Sequence, residues 1–128
     1  MKIKIDFFQD DLIKSIGAGI YKISVDKNGK SKVLYVGESV FVIVRCASHL
    51  YKLKKHPEYL GFTDETIEDL CIELKFRVIE EINDTMRRKA REKELIKNEK
   101  PLSQNGISDR QKSVEEKIRA LTEFLSNL

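Results

Sequence analysis

Residues 19–37 read GIYKISVDKNGKSKVLYVG, with strand-like runs on either side of a polar middle. The outer parts are rich in β-branched and aromatic residues, and the sequence DKNG at residues 26–29 is typical of a turn. The pattern predicts an antiparallel hairpin over residues 18–37, with a loop somewhat longer than two residues. Each strand carries a tyrosine in a glycine-containing triplet, Gly-Ile-Tyr in the first and Tyr-Val-Gly in the second.

The two tyrosines occupy comparable places on the paired strands. We expect Tyr21 and Tyr35 to project from the same side of the hairpin, so that their hydroxyls converge. Gly19 and Gly37 allow the backbone to bend or to approach another group closely. Because strands favour tyrosine in general, a purely structural role is the alternative for this pair.

The remainder of the chain alternates between helices and one further strand. Glu38 or Ser39 can cap the helix that follows the hairpin. The order of elements predicts an α/β domain of the α+β type, with a small, mainly antiparallel three-stranded sheet flanked by helices. The predicted elements are a helix to about residue 55, a short helix near 63–66, a strand over 72–82, and helices over 84–98 and 113–128.

The 128 residues are divided into three parts. Residues 17–106 form the main domain, residues 1–16 are an N-terminal extension that packs on it, and residues 107–128 add a C-terminal helix. In this helix the apolar residues recur at the coiled-coil spacing, at Val114, Ile118, Leu121, Leu125 and Leu128, and Phe124 widens the stripe.

A second apolar stripe lies on the helix that follows the hairpin. It consists of Phe41, Val44 and Tyr51, opposite the expected core face. We expect the two stripes to meet, either within one chain or between the two chains of a homodimer.

Composition narrows the class of protein. The chain is 41% hydrophobic and 35% charged, with a net charge of +3 that permits a nucleic-acid partner without requiring one. Charges interrupt the apolar residues near the N-terminus, so we expect no signal peptide and no membrane span. The two cysteines lack partners at zinc-site spacing and are expected to be reduced thiols in a cytoplasmic protein.

The first long helix carries cationic residues next to its predicted core face. With 100° between successive residues, Arg45, His49 and Lys52 lie at the edge of that face. A cation beside an imidazole can hold and protonate an anion there, and a solvated helix edge is the alternative. The core face itself consists of Val42, Ile43, Cys46, Leu50 and Leu53.

The helix over residues 84–98 places one carboxylate on an apolar face. Glu92 lies between Leu95 and Ile96, so it must be paired, neutralised or bound to a cation. An ion pair with Arg88, one turn earlier, is the alternative to a metal.

In order along the chain, these residues resemble the GIY-YIG nuclease family. Arg45 stands ten residues after the second tyrosine, and His49 follows four residues later. The segment EKELIK at residues 92–97 is followed by Pro101 and Asn105, the latter one residue later than in the commonest spacing, so Gln104 is an alternative for its role. The resemblance covers residues 17–106.

The resemblance implies a metal-dependent endonuclease that hydrolyses phosphodiester bonds in DNA, with double-stranded DNA as the expected partner. Glu92 would bind Mg²⁺ or Mn²⁺, Arg45 would pair with the scissile phosphate, and Tyr21 would take the proton of the attacking water. Tyr35 would orient the water or the phosphate, and His49 would relay the proton or contact the phosphate, so that three residues remain candidates for the base. The residues expected to contact the substrate are Gly19, Gly37, Arg45, Lys52 and Asn105.

Two other functions remain open. One is a catalytically inactive module that binds nucleic acid or protein. The other is a nuclease that acts on RNA, because phosphate chemistry does not report the sugar.

Overall fold

The computed structural model describes residues 1–127 and shows a mixed α/β domain. Leu128, the last residue of the predicted C-terminal stripe, lies outside the described residues. The strands are β1 Lys4–Phe7, β2 Gly19–Lys27, β3 Lys30–Ser39 and β4 Ile72–Glu81. The helices are α1 Leu12–Ser15, α2 Val42–Lys55, α3 Thr85–Glu99 and α4 Val114–Ser126, with 3₁₀-helices at Pro57–Leu60 and Thr66–Glu68.

The sheet has four strands in the order β1-β4-β2-β3, which corrects the predicted three-stranded antiparallel sheet. β2 is antiparallel to both neighbours, as expected, whereas β1 pairs in parallel with β4 from Lys4↔Glu73 to Phe7↔Phe76. The N-terminal extension thus adds an edge strand. A strand of four residues is too short for its alternating pattern to be recognised in the sequence. The strand forms because it pairs with the free edge of β4.

The hairpin between β2 and β3 closes with a two-residue turn, which corrects the longer predicted loop. Lys27 pairs directly with Lys30. Asn28 and Gly29 both have positive φ angles, 52° and 79°, as a tight type I′ turn requires. The strands also contain a β-bulge, because Ile23 pairs with Tyr35 whereas Ser24 pairs with Val33. Leu34 is therefore the additional residue on β3.

Helices cover both faces of the sheet. α3 packs on β2 and β3 through a small apolar cluster of Ile20, Val36, Ile82, Leu95 and Ile96. The larger cluster on the other face joins the sheet to α2 and α4, and it includes both tyrosines of the hairpin. The tyrosines therefore lie between the sheet and α2.

The C-terminal helix docks within the chain. Leu121 and Leu125 are buried in the larger cluster together with Leu60. Gly61 permits this approach, because a Cβ there would lie 2.5 Å from the Lys117 carbonyl oxygen. The stripe of Phe41, Val44 and Tyr51 stays exposed, so α4 does not cover it, and a homodimer remains a prediction.

The predicted starts of α3 at residue 84 and of α4 at residue 113 each lie one residue from the observed starts. Asp84 caps α3 by accepting from the Arg87 amide at 2.8 Å, and Ser113 caps α4 by accepting from the Glu116 amide at 3.3 Å. At α2 the capping position is Phe41 instead of Glu38 or Ser39. Within residues 1–127, none of the helices is long and apolar enough to cross a membrane.

Candidate active site

The two tyrosines project from the same side of the hairpin, as predicted. Their rings are stacked at an interplanar angle of 14°, with centroids 6.2 Å apart. Tyr21 pairs across the strands with Gly37, and a Cβ at position 37 would lie 2.3 Å from the Tyr21 hydroxyl oxygen. The glycine of the second triplet therefore makes room for the tyrosine of the first.

Packing within the protein also explains why residue 19 is a glycine. A Cβ at this position would lie 2.4 Å from the Glu80 carbonyl oxygen on β4. Gly19 therefore admits the neighbouring strand near a bulge between β2 and β4. The predicted role of both glycines, to admit a substrate backbone, is not needed to explain either of them.

His49 is fully buried, which corrects its predicted place at the helix edge. Its Nε2 lies 2.7 Å from the Tyr21 hydroxyl, and its Nδ1 lies 2.7 Å from the hydroxyl of Tyr59. Because two phenols satisfy both ring nitrogens, an imidazole can occupy a core position on α2. Burial, reinforced by the nearby cations of Arg45, Lys52 and Lys117, lowers the pKa of His49 to about 3, so the ring is neutral.

Both tyrosines are protonated near neutral pH. Burial raises the pKa of Tyr35 to about 12, although the guanidinium of Arg45 acts in the opposite direction. Burial also holds the pKa of Tyr21 far above its ordinary range, with Tyr35 and Cys46 adding to the effect. A free phenolate at Tyr21, as the resemblance implies for a base, is therefore opposed by burial before substrate binds.

Glu92 is partly buried and has no ion pair with any residue of the described chain. Burial, together with the nearby carboxylates of Asp109 and Glu38, raises its pKa to about 7. The predicted alternative, an ion pair with Arg88, is wrong. The Arg88 Nε lies 3.4 Å from a carboxylate oxygen of Glu38 instead, and its Nη1 donates to the Asn83 carbonyl oxygen at 2.9 Å.

The side chains from these separate elements meet at one small cavity. Its volume is about 80 Å³, which is large enough to hold ordered water. We call Tyr21 and Tyr35, with His49 behind them, the tyrosine wall, and Glu38, Lys89, Glu92 and Asp109 the carboxylate wall. The lining residues are Tyr21, Tyr35, Gly37, Glu38, Arg45, Lys89, Glu92 and Asp109.

Three lining residues, Glu38, Lys89 and Asp109, were not among the predicted site residues, and Glu38 was expected only as a helix cap. Lys89 precedes Glu92 by three residues and so shares its helix face, a spacing from which it could have been found. Asp109 lies in the loop before α4, where no periodicity indicates a direction. The motif likewise gave no indication of Tyr59, although it contacts His49 directly.

Three of the five predicted substrate residues, Gly19, Lys52 and Asn105, lie outside the cavity lining. Lys52 is exposed on α2, with its Nζ 5.5 Å from the centroid of the Tyr59 ring. Asn105 is exposed, and its Oδ1 accepts from the amides of Ile107 and Ser108. Its neighbour Gln104 is buried and holds the second triplet, because its side-chain amide bonds both the N–H and the C=O of Val36, at 2.9 and 2.8 Å.

The donor set at the cavity fits a divalent cation held by one protein carboxylate. Glu92 offers oxygen ligands and forms no ion pair within residues 1–127, and Mg²⁺ commonly keeps several waters beside one or two carboxylates. Residues 1–127 contain no group of three or more His, Cys, Asp or Glu side chains arranged to hold a metal ion. Any metal here would therefore depend on water and substrate oxygens for most of its ligands.

No family model, no curated protein and no solved structure matches the chain. Function is therefore inferred from the side chains of the cavity and from the order of the motif along the chain.

Proposed function

We propose that this protein is a metal-dependent endonuclease of the GIY-YIG type that hydrolyses phosphodiester bonds in double-stranded DNA. The observation that carries the proposal is convergence. Tyr21 from β2, Tyr35 from β3, Arg45 from α2 and Glu92 from α3 all line one cavity. Four elements would not need to bring these groups together for packing alone.

The charges of the cavity support a metal cofactor. Glu38, Glu92 and Asp109 contribute three carboxylates, whereas Arg45 and Lys89 contribute two cations. A phosphodiester is itself an anion, so the carboxylates would repel it in the absence of a counter-ion. Bound at Glu92, Mg²⁺ or Mn²⁺ would supply charge neutralisation and a more acidic water.

Arg45 is placed to stabilise the reacting phosphate. Its side chain lines the cavity, is partly buried and has no carboxylate partner among residues 1–127. A guanidinium can donate two parallel hydrogen bonds to phosphate oxygens. Partial burial strengthens that interaction, because less water screens it.

The tyrosine wall would transfer a proton through its neutral hydroxyl groups, because burial disfavours a free phenolate. Tyr21 reaches both the cavity and the Nε2 of His49, so it can accept or donate on the cavity side while bonded to the imidazole behind it. Tyr35 lies beside Arg45 and orients a water or a phosphate oxygen. His49 is buried behind the tyrosines and acts on the substrate only through Tyr21.

The outer surface of α2 supports nucleic acid as the substrate. Lys52, Lys54 and Lys55 are exposed in its last turn, and the helix contains no acidic residue. Exposed lysines on one helix can track a phosphate backbone without reading its sequence.

The proposal is tested by incubating the purified chain with supercoiled plasmid and with duplex RNA, in Mg²⁺, in Mn²⁺ and in EDTA. We expect nicked and linear DNA only with a divalent metal. Cleavage of RNA alone would move the substrate to RNA. DNA binding without cleavage in any metal would favour the inactive binding module, and activity in EDTA would contradict a metal site.

A further inference from the structure

A groove between α3 and the loop over residues 105–112 continues from the cavity. Its first part has a volume of about 430 Å³ and shares three lining residues with the cavity, Lys89, Glu92 and Asp109. Its second part has a volume of about 380 Å³ and lies at the C-terminal end of α3. The groove therefore begins at the proposed metal site and follows the helix away from it.

The two parts are neighbours along both sides of the groove. On the helix, Lys93 of the first lining lies about one turn before Lys97 of the second. On the loop, Ser108 of the first lining directly follows Ile107 of the second. A linear ligand can therefore occupy both parts, with one end at the cavity.

The balance of charge changes along the groove. At the cavity end, Lys89 and Lys93 lie beside the carboxylates of Glu92 and Asp109. No carboxylate from residues 1–127 lines the far end, and its lysines form no ion pair within that part of the chain. These lysines are Lys97, Lys100 and Lys112. The cavity end thus suits a cation, and the far end suits an anion.

The lysines on α3 form a row along one edge of the helix. Lys89, Lys93 and Lys97 follow one another at four-residue spacing, so each lies about 6 Å further along the axis. Lys100, the capping residue at the end of α3, continues the row, and all four lysines are exposed. Glu99 is not part of the lining and lies about 200° around the helix from Lys97. The row is ~16 Å long, which is the axial length of about five nucleotides in one strand of B-form DNA.

The loop on the other side of the groove is held by its own backbone. Gln104 and Gln111 form a β-bridge across it. The Lys112 amide donates to the Ser103 carbonyl oxygen at 2.9 Å, which fixes the backbone of Lys112 at the far end of the groove. Both sides of the groove are therefore formed in the unbound protein.

We propose that this groove holds the phosphate backbone of one DNA strand next to the bond to be cut. The phosphates pair with Lys93, Lys97, Lys100 and Lys112. The proposal rests on the proposed nuclease function, because the cavity end of the groove is where the scissile phosphate would lie. It gives the strand a path along α3, away from Glu92. Lysines that pair only with phosphates add affinity without sequence preference.

The groove is tested by DNA binding, measured without cleavage. We would use the full-length chain carrying Glu92→Gln, in EDTA, and follow the fluorescence anisotropy of a labelled duplex over a series of salt concentrations. Each phosphate that is paired with a lysine contributes about 0.9 to the slope of log K against log salt. We expect Lys97→Gln, Lys100→Gln and Lys112→Gln together to weaken binding and to reduce the slope by ~2–3. An unchanged slope, or no binding before these changes, would overturn the proposal.

Lys2→Gln, Lys14→Gln and Lys30→Gln together are the matched control. These lysines are exposed, form no ion pair among residues 1–127 and line neither part of the groove. The two triple variants lose the same charge, so an effect of net charge alone would weaken both equally. We expect the control to keep its slope, and equal losses in the two would overturn the proposal.

Lys93→Gln with Lys97→Gln is a second variant, in case a change at Lys100 disturbs the helix end, where its φ angle is 49°. It should reduce the slope by ~1–2, and an unchanged slope in this folded variant would contradict the proposal. Polyglutamate that displaced the duplex as efficiently as unlabelled DNA would overturn it in favour of an acidic peptide. Because binding is measured without a cut, a wild-type chain that cuts no DNA while the slopes change as expected removes the nuclease function and leaves the groove standing.

Discussion

The two walls of the cavity differ in how their polar groups are satisfied. On one wall Tyr21, Tyr35 and His49 are at most 5% exposed and electrically neutral, and His49 has hydrogen-bond partners on both ring nitrogens. On the other wall Glu92 is partly buried, carries a raised pKa and has no cationic partner in the described chain. The polar groups of the first wall are satisfied within the protein, whereas the second wall has three carboxylates, Glu38, Glu92 and Asp109, against the single cation Lys89.

Under the proposed nuclease function, this difference separates a preorganised part of the site from a part that depends on a bound cation. The side chains of the tyrosine wall are already held in place, so substrate binding would not have to reorganise them. In the carboxylate wall, burial and the neighbouring carboxylates make the ionised form of Glu92 unfavourable until a cation binds or a proton is taken up. A cation-dependent reaction is the simplest use of such an arrangement.

Glu92→Gln removes one of the three carboxylates of the cavity and keeps the size of the side chain. We expect metal-dependent cleavage to fall below detection with the fold retained, because an amide is a much poorer ligand for Mg²⁺ than a carboxylate. Plasmid nicking and circular dichroism measure the two effects.

Glu94→Gln is the matched control for that change. Glu94 lies on the same helix, is exposed and pairs with Arg91, so its replacement should leave cleavage unchanged. Full activity in Glu92→Gln, or equal loss in both variants, would rule out Glu92 as the metal ligand.

Arg45→Ala tests the cation in the cavity lining that belongs to neither wall. Loss of one group that stabilises transition-state charge typically costs about 2.7–4 kcal/mol, or ~10²–10³ in rate. We expect a decrease of that size in kcat with little change in Tm, measured by single-turnover cleavage and thermal melting.

Lys54→Ala removes a charge from the exposed part of the same helix and serves as the control for Arg45. It should weaken DNA binding slightly and leave the rate at saturation unchanged. A large fall in Tm for Arg45→Ala without a specific rate defect would assign Arg45 a structural role.

The comparison of the walls also shows what sequence could predict. The convergence of Tyr21 and Tyr35 followed from strand pairing, and the inward position of Glu92 followed from helix periodicity; both were confirmed. Local periodicity determines such placements. The long helices α2, α3 and α4 and the strands β2, β3 and β4 were predicted for the same reason, whereas α1 was not.

The remaining features depend on contacts between distant segments. β1 exists because β4 offers an edge, and His49 is buried because two phenols, one of them 28 residues earlier in the chain, satisfy its nitrogens. Asp109 approaches Glu92 from a loop without periodicity. No local pattern encodes these contacts.

Gly37→Ala should damage the tyrosine wall alone. The new methyl group would lie 2.3 Å from the Tyr21 hydroxyl oxygen, so the ring must move. Overpacking of this kind typically costs about 1–3 kcal/mol in the free energy of unfolding. Denaturant unfolding measures the loss, and the His49 ring shifts report the lost contact with Tyr21.

Gly17→Ala is the control, because a Cβ at Gly17 meets nothing within 4 Å. It should leave the free energy of unfolding nearly unchanged or slightly higher, since alanine restricts the unfolded chain. Equal stability of the two variants would mean that the Tyr21 ring does not depend on the absence of a side chain at Gly37.

The smallest expected effect concerns the free energy of unfolding, whose dependence on pH has opposite signs for His49 and Glu92. His49 has a folded-state pKa of about 3, below its ordinary 6.5, so its contribution to stability is present above pH 6.5 and is lost as the pH falls toward 3. Glu92 has a folded-state pKa of about 7, above its ordinary 4.5. The folded state keeps a proton that the unfolded chain releases, so stability from this group is lost as the pH rises from 4.5 to 7.

Glu92→Gln isolates the second effect, because glutamine resembles a protonated glutamate at every pH. In EDTA we expect wild type and variant to unfold at similar denaturant concentrations near pH 4.5, with the variant more stable by ~1–2 kcal/mol at pH 8. That figure follows from about 1.4 kcal/mol per pKa unit, reduced for partial solvent exposure. Saturating Mg²⁺ should narrow the gap at pH 8, since a cation that binds only the folded wild type offsets the cost of the bare carboxylate. A gap that is constant with pH would mean that Glu92 is ordinary solvated charge, and the contrast between the walls would then be one of burial only.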